Sequence, residues 1–141
     1  MKKKRITVQS AKAKGRRLQQ WFCQRISDYL GIPWGPDELI ASREGCQNGT
    51  DVRLIGDALN RFKYSCECKN QENWAVHQWI EQAKTNQIEG TDWLICAKRS
   101  RHKPVIIMDV DAFFNLIKQI RDKKNDIGNG IKGNSLPKKT Y

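Results

Sequence analysis

The sequence has no apolar run approaching the ~20 residues that a membrane span needs. Its N-terminus, "MKKKRITVQSAKAKGRR", starts basic but has no apolar core, so it does not read as a secretory signal and a cytoplasmic protein is expected. No internal repeat is visible. The five cysteines, at 23, 46, 66, 68 and 96, lack metal-ligand spacing: Cys66 and Cys68 are too close for a zinc knuckle and sit inside a strand-like run. Buried free thiols in a reducing compartment are the expectation. Acid is absent from residues 1–17, which carry eight Lys and Arg.

Charge is abundant elsewhere and unevenly placed. The whole chain is +11, yet residues 18–97 have a net charge of −4, with seven bases against eleven acids. The loop "KRSRHK" (98–103) adds four bases, and residues 118–141 hold seven against two acids. An acidic centre between basic segments suits a polyanion held over carboxylates. Lys12, Lys14, Arg16, Arg17, Arg43, Arg99, Arg101 and Lys103 are the candidate cations for contacting that polyanion.

Apolar spacing predicts a helix over about 14–30, with Leu18, Trp21, Phe22, Ile26, Tyr29 and Leu30 on its repeat. "GIPWGPDE" ends it, and 41–50 reads as a polar loop. Strands are predicted at 51–55, 61–69, 92–98 and 104–110, with a turn at "GDALN". A helix at 72–87 buries Ala75, Val76, Trp79, Ile80 and Ala83, and another runs from 112 to 121 behind an Asp111 cap. The expected order is α-β-β-α-β-β-α around a central mixed sheet. The expected layout is a basic flexible arm (1–12), a folded domain (13–121) and a basic flexible tail (122–141).

The chemistry is sharpest in "YSCECKNQENW" (64–74). Strand side chains alternate, so Ser65, Glu67 and Lys69 share one face, and Tyr64, Cys66 and Cys68 the other. A carboxylate and an ammonium side by side in a central strand ask for a partner. Asp51 opens the preceding strand, where pairing can bring it beside Glu67. Two carboxylates with open positions suit Mg²⁺, which keeps waters and accepts phosphate oxygens. A lysine on that face can orient or deprotonate a water, or neutralise charge building on phosphorus. Gln19 falls within the apolar arc of the first helix, either as a satisfied core amide or as a side chain reaching the carboxylates.

Asp51 with Glu67-Cys68-Lys69 resembles the signature of the PD-(D/E)XK nuclease superfamily. "KGRRLQQWFCQRI", "NGTDVRL" and "ECKNQENW" look like its Holliday junction resolvase branch and related small phage nucleases, a likeness covering about residues 12–117. The resemblance implies a restriction-endonuclease-like core and a Mg²⁺-dependent endonuclease (Mn²⁺ substituting) that cuts branched DNA as a homodimer in the host cytoplasm. It implies metal binding by Asp51, Glu67 and the Cys68 backbone carbonyl, Lys69 as the catalytic lysine, and Ser42 as a loop serine touching the DNA backbone. Members carry a glutamate on the first helix four residues after a glycine; here Gly15 plus four is Gln19, with Glu44 as a compensating candidate. Gln78 and Gln82 are candidates for the glutamine that braces such sites. Nicking, restriction-like or end-processing nucleases, and a DNA-binding module with a degenerate site, are the alternatives, since one fold serves many functions.

Overall fold

The protein is described by a computed structural model covering residues 5–45 and 47–131. Residues 1–4 of the expected arm, Cys46 and residues 132–141 of the expected tail lie outside the described residues. The elements are α1 (Val8–Leu30), β1 (Ile40–Ser42), β2 (Val52–Leu54), α2 (Gly56–Arg61), β3 (Tyr64–Asn70), α3 (Val76–Asn86), β4 (Asp92–Lys98), β5 (Val105–Ile107) and α4 (Val110–Ile131). The chain divides into two compact units, Met1–Met108 and Asp109–Tyr141. The first carries the five-stranded sheet, in the order β1-β2-β3-β4-β5. Only β3 and β4 are parallel, joined through α3; the other neighbours are antiparallel. This is the α/β architecture with a mixed sheet flanked by helices that the sequence predicts.

Helix α1 starts where the Thr7 hydroxyl accepts the Ser10 N–H and stops at Gly31, whose left-handed φ of 68° favours glycine. Leu18, Phe22, Cys23, Ile26 and Leu30 form its buried stripe; full burial of Leu, Ile or Phe contributes about 1.5–3 kcal/mol each. They meet Val52, Leu54, Cys66, Cys68, Leu94 and Cys96 on one side of the sheet. On the other side, Trp79 and Ala83 of α3 meet Trp93, Ile95 and Ala97 of β4, with Ala75, Val76 and Ile80 packed against them. Cys23, Cys66, Cys68 and Cys96 are buried free thiols. Burial pushes the Cys23 thiol up to about 12.

Several local readings are corrected. Trp21 and Tyr29 have the right spacing for α1's stripe but lie at its margins, 43% and 77% exposed. α1 begins at Val8, so the helix extends into the expected flexible arm, and α4 continues to Ile131 rather than ending near 121. The expected turn at 56–60 is a helix, α2, and the expected loop at 41–50 begins inside β1, which pairs with β2.

Candidate active site

The turn before β2 sets the first carboxylate. Gly49 has φ 111°, and a Cβ there would lie 3.2 Å from the Arg43 guanidinium. Arg43 donates from Nε to the Thr50 carbonyl (2.6 Å), while its main-chain N–H donates to the Asp51 carbonyl (2.8 Å). The guanidinium of Arg43, one of the candidate DNA contacts, holds this turn. The Asp51 N–H donates to the Cys66 carbonyl (3.0 Å), which docks the start of β2 on β3. The Asp51 carboxylate then accepts the Cys68 N–H through Oδ2 at 2.8 Å.

Glu67 is the polar residue buried deepest in the sheet, 1% exposed. Its Oε1 accepts from Asn86 Nδ2 at 3.0 Å, and its Oε2 is buried with no hydrogen-bond partner. Burial pushes its carboxyl up to about 8, and the neighbouring Asp51 adds to that. The Asn86 bond and the Lys69 charge act in the opposite direction. Lys69 donates from Nζ to Gln82 Oε1 at 2.6 Å. Asp51, Glu67 and Lys69 are thus brought together as their strand positions predict, with α3 behind the last two.

Gln19 is half-buried, and its Oε1 accepts the Ser42 hydroxyl at 3.0 Å. Ser42 pairs with Val52, the residue after Asp51. Gln19 is therefore a hydrogen-bonded amide at the β1 edge, linked to the strand that carries Asp51. Glu44 and Gln78 are exposed, while Gln82 is the glutamine that reaches the site. Sequence reading missed Asn86; its one signal was its place four residues after Gln82, on the same helical face.

The basic loop sits at the C-terminal end of β3. Lys14 donates to the Ser100 hydroxyl (2.9 Å) and pairs with Glu72 at 3.5 Å, and Arg99 faces Glu72 at 3.9 Å. The Ser100 N–H donates to the same carboxylate (2.9 Å), and the Ser100 bonds hold Glu72 at about 2. Lys14 and Arg99 are therefore partly neutralised, while Lys12, Arg16, Arg17, Arg101 and Lys103 are exposed. Arg16, Ser42, Arg43, Arg53 and Trp34 line a groove of about 580 Å³ beside β1.

Among the described residues no group of three or more His, Cys, Asp or Glu side chains is gathered for a metal ion. The Asp51–Glu67 pair does fit one hard divalent cation, since a buried carboxylate oxygen without a partner is a ligand in want of a charge. A family model described as "Phage putative PDDEXK endonuclease" matches residues 10–134. The chain belongs to this phage PDDEXK endonuclease family. No curated protein and no solved structure matches it. The match to the phage PDDEXK endonucleases spans α1 through α4, so the family covers both the sheet and the carboxylate pair. No helix among the described residues is long and apolar enough to cross a membrane.

Proposed function

We propose that this chain is a divalent-metal-dependent DNA endonuclease that cuts branched DNA, acting as a homodimer in the host cytoplasm. The observation that carries the reading is the buried Glu67 carboxyl beside Asp51, with one oxygen unpartnered and Lys69 on the same strand face. Asp51 and Glu67 would hold the cation. The Cys68 carbonyl would join them, because the N–H and C=O of one strand residue point to the same edge and this N–H already meets Asp51. Bound there, Mg²⁺ (or Mn²⁺ in its place) would polarise the scissile phosphate and favour ionisation of a water.

The chain's own residues do the rest. Lys69, held by Gln82, orients the attacking water or offsets the negative charge growing on the phosphate oxygens. Water oxygen bonds to phosphorus, one P–O ester bond breaks, and the leaving oxygen takes a proton. Burial of Glu67 keeps bulk solvent from its own carboxyl. Ser42, tied to Gln19, and the exposed Arg16, Arg17, Arg101 and Lys103 supply contacts to the DNA backbone.

The branched substrate and the dimer rest on the resolvase-like motifs, because a two-fold junction needs two nicks. Helix α4, taken alone, supports self-association: Val110, Phe113, Ile117 and Ile120 recur at three-four spacing, Ile127 follows seven residues on, and all are 46–69% exposed. A DNA-binding module with a degenerate site is the second reading, favoured by the neutral amide at Gln19. A synthetic four-way junction and a linear duplex of matched sequence, each in Mg²⁺ and in EDTA, decide. Mg²⁺-dependent cutting of the junction alone is expected. Cutting of both would indicate a general or end-processing nuclease, and binding without cutting would indicate the degenerate module.

A further inference from the structure

Helix α3 carries two amide side chains one turn apart, Gln82 and Asn86, and each meets a site residue of β3. Gln82 meets Lys69 at 2.6 Å and Asn86 meets Glu67 at 3.0 Å. The pairing is metric. Four helical residues rise about 6 Å and two strand residues about 6.6 Å, so two rungs on the helix match two on the strand. The order is inverted because α3 runs back along the sheet between parallel strands, the later helix residue meeting the earlier strand residue.

The second rung differs in character from the first. Gln82 is exposed, whereas Glu67 is 1% exposed and Asn86 is half-buried. A carboxylate turns about its last bond with a broad two-fold preference, so an unrestrained Glu67 could present either oxygen. Asn86 holds Oε1 and leaves Oε2 without a partner. A neutral amide does this without competing for the cation, as a lysine at this position would, and without adding a third carboxylate. We propose that Asn86 is a positioning residue for metal binding: it fixes the rotation of the Glu67 carboxylate, so that Oε2 is the oxygen offered to the cation. The proposal rests on the reading of Asp51 and Glu67 as the cation-holding pair.

The test uses Mn²⁺ alone, without DNA, and follows free Mn²⁺ by electron paramagnetic resonance. The proteins are the full-length wild type, Asn86→Ala, Asn86→Leu and Glu67→Gln, with melting temperatures taken in EDTA. Loss of a residue that orients a metal ligand typically weakens affinity by about 10–100-fold. Asn86→Ala and Asn86→Leu should both weaken Mn²⁺ binding by about tenfold or more. The leucine variant, which keeps the branched outline and heavy-atom count of asparagine, should melt closer to wild type than the alanine variant. A folded Asn86 variant that binds Mn²⁺ like wild type, whatever its melting temperature, overturns the proposal. If the wild type takes up no Mn²⁺, or Glu67→Gln binds it equally well, the carboxylate reading fails first and the proposal with it. Should both variants fail to fold, the wild type still answers through its Asn86 side-chain amide resonances. These should shift on Mg²⁺ titration, and resonances that stay fixed through saturation would overturn the proposal.

Discussion

Asp51 Oδ2 accepts the main-chain N–H of Cys68 at 2.8 Å, so the first carboxylate is anchored to the strand that carries the second. One oxygen of Asp51 is thereby used for structure, and the pair is held in place by β2–β3 docking rather than by side-chain packing alone. Replacing a site carboxylate by its amide keeps the shape and removes the charge.

Asp51→Asn, Glu67→Gln and Lys69→Ala are each expected to lower cleavage at least about 100-fold, the scale of losing one electrostatic contributor to a transition state. DNA affinity should hold. Asp51→Asn should bind as well as wild type or better, because it removes negative charge facing phosphate. Glu67→Gln should bind as well as wild type, because a carboxyl pushed up to about 8 is already mostly neutral at pH 7. Single-turnover cleavage and gel-shift titration on the same preparations check this. Affinity falling in step with activity would mean that these residues hold DNA rather than cut it.

Gln82 is exposed, so its loss should barely touch the fold, yet it holds the Lys69 ammonium. Gln82→Ala should slow cleavage about tenfold with an unchanged melting temperature. Full activity in this variant would show that Lys69 needs no brace.

Gln19→Glu tests the departure from the resolvase-like pattern. The Ser42 hydroxyl, which now donates to the Gln19 amide oxygen, can donate equally to a carboxylate. The stability cost should therefore stay under about 1 kcal/mol, where an uncompensated core charge would cost several. The Mg²⁺ concentration for half-maximal cleavage should fall. A large drop in melting temperature with unchanged Mg²⁺ dependence would remove Gln19 from the site.

Salt dependence should separate the free cations from the paired ones. Neutralising Arg101 and Lys103 together should lower the slope of log K against log[salt] by about 2 units. Adding Arg99 should change it by less than one further unit, because Arg99 already faces Glu72. An unchanged slope in the double variant would turn the loop away from DNA.

Glu72 gives a pH signature. Its carboxyl is held at about 2, below the usual 4.5, mainly by the Ser100 hydrogen bonds. A depressed carboxyl stabilises the fold fully above about 4.5 and loses that contribution as pH falls towards 2. The Ser100 amide resonance should therefore hold steady down to about pH 3 and move only below it. A midpoint near 4.5 would mean that the loop contact does not persist in solution.

Legibility in the sequence followed the range of each interaction. The alternation of β3 placed Glu67 and Lys69 on one face, and the turn before β2 placed Asp51 beside them, because both signals lie within a few residues. β1 escaped because three residues, Ile40–Ser42, are too few to show a period, and α2 because six residues read as a turn. Trp21 and Tyr29 fit the helical repeat, but spacing alone does not say how wide the covered stripe is. Asn86 escaped for a different reason: its contact spans 19 residues, and its helical spacing from Gln82 does not say which strand residue it meets.

The side chains from Asp51 to Asn86 come from one unbroken stretch of 36 residues, the run β2-α2-β3-α3. The carboxylate pair, Lys69 and the two amide side chains that meet Lys69 and Glu67 therefore lie on a single continuous segment of the chain. Native-state hydrogen exchange would find the amides of Cys66 and Cys68 opening together with those in the middle of α3. A chain cut within the α3–β4 connection would keep every one of these side chains on one fragment, and reassociation with the β4–β5–α4 fragment would rebuild the nuclease without splitting its chemistry between the two pieces.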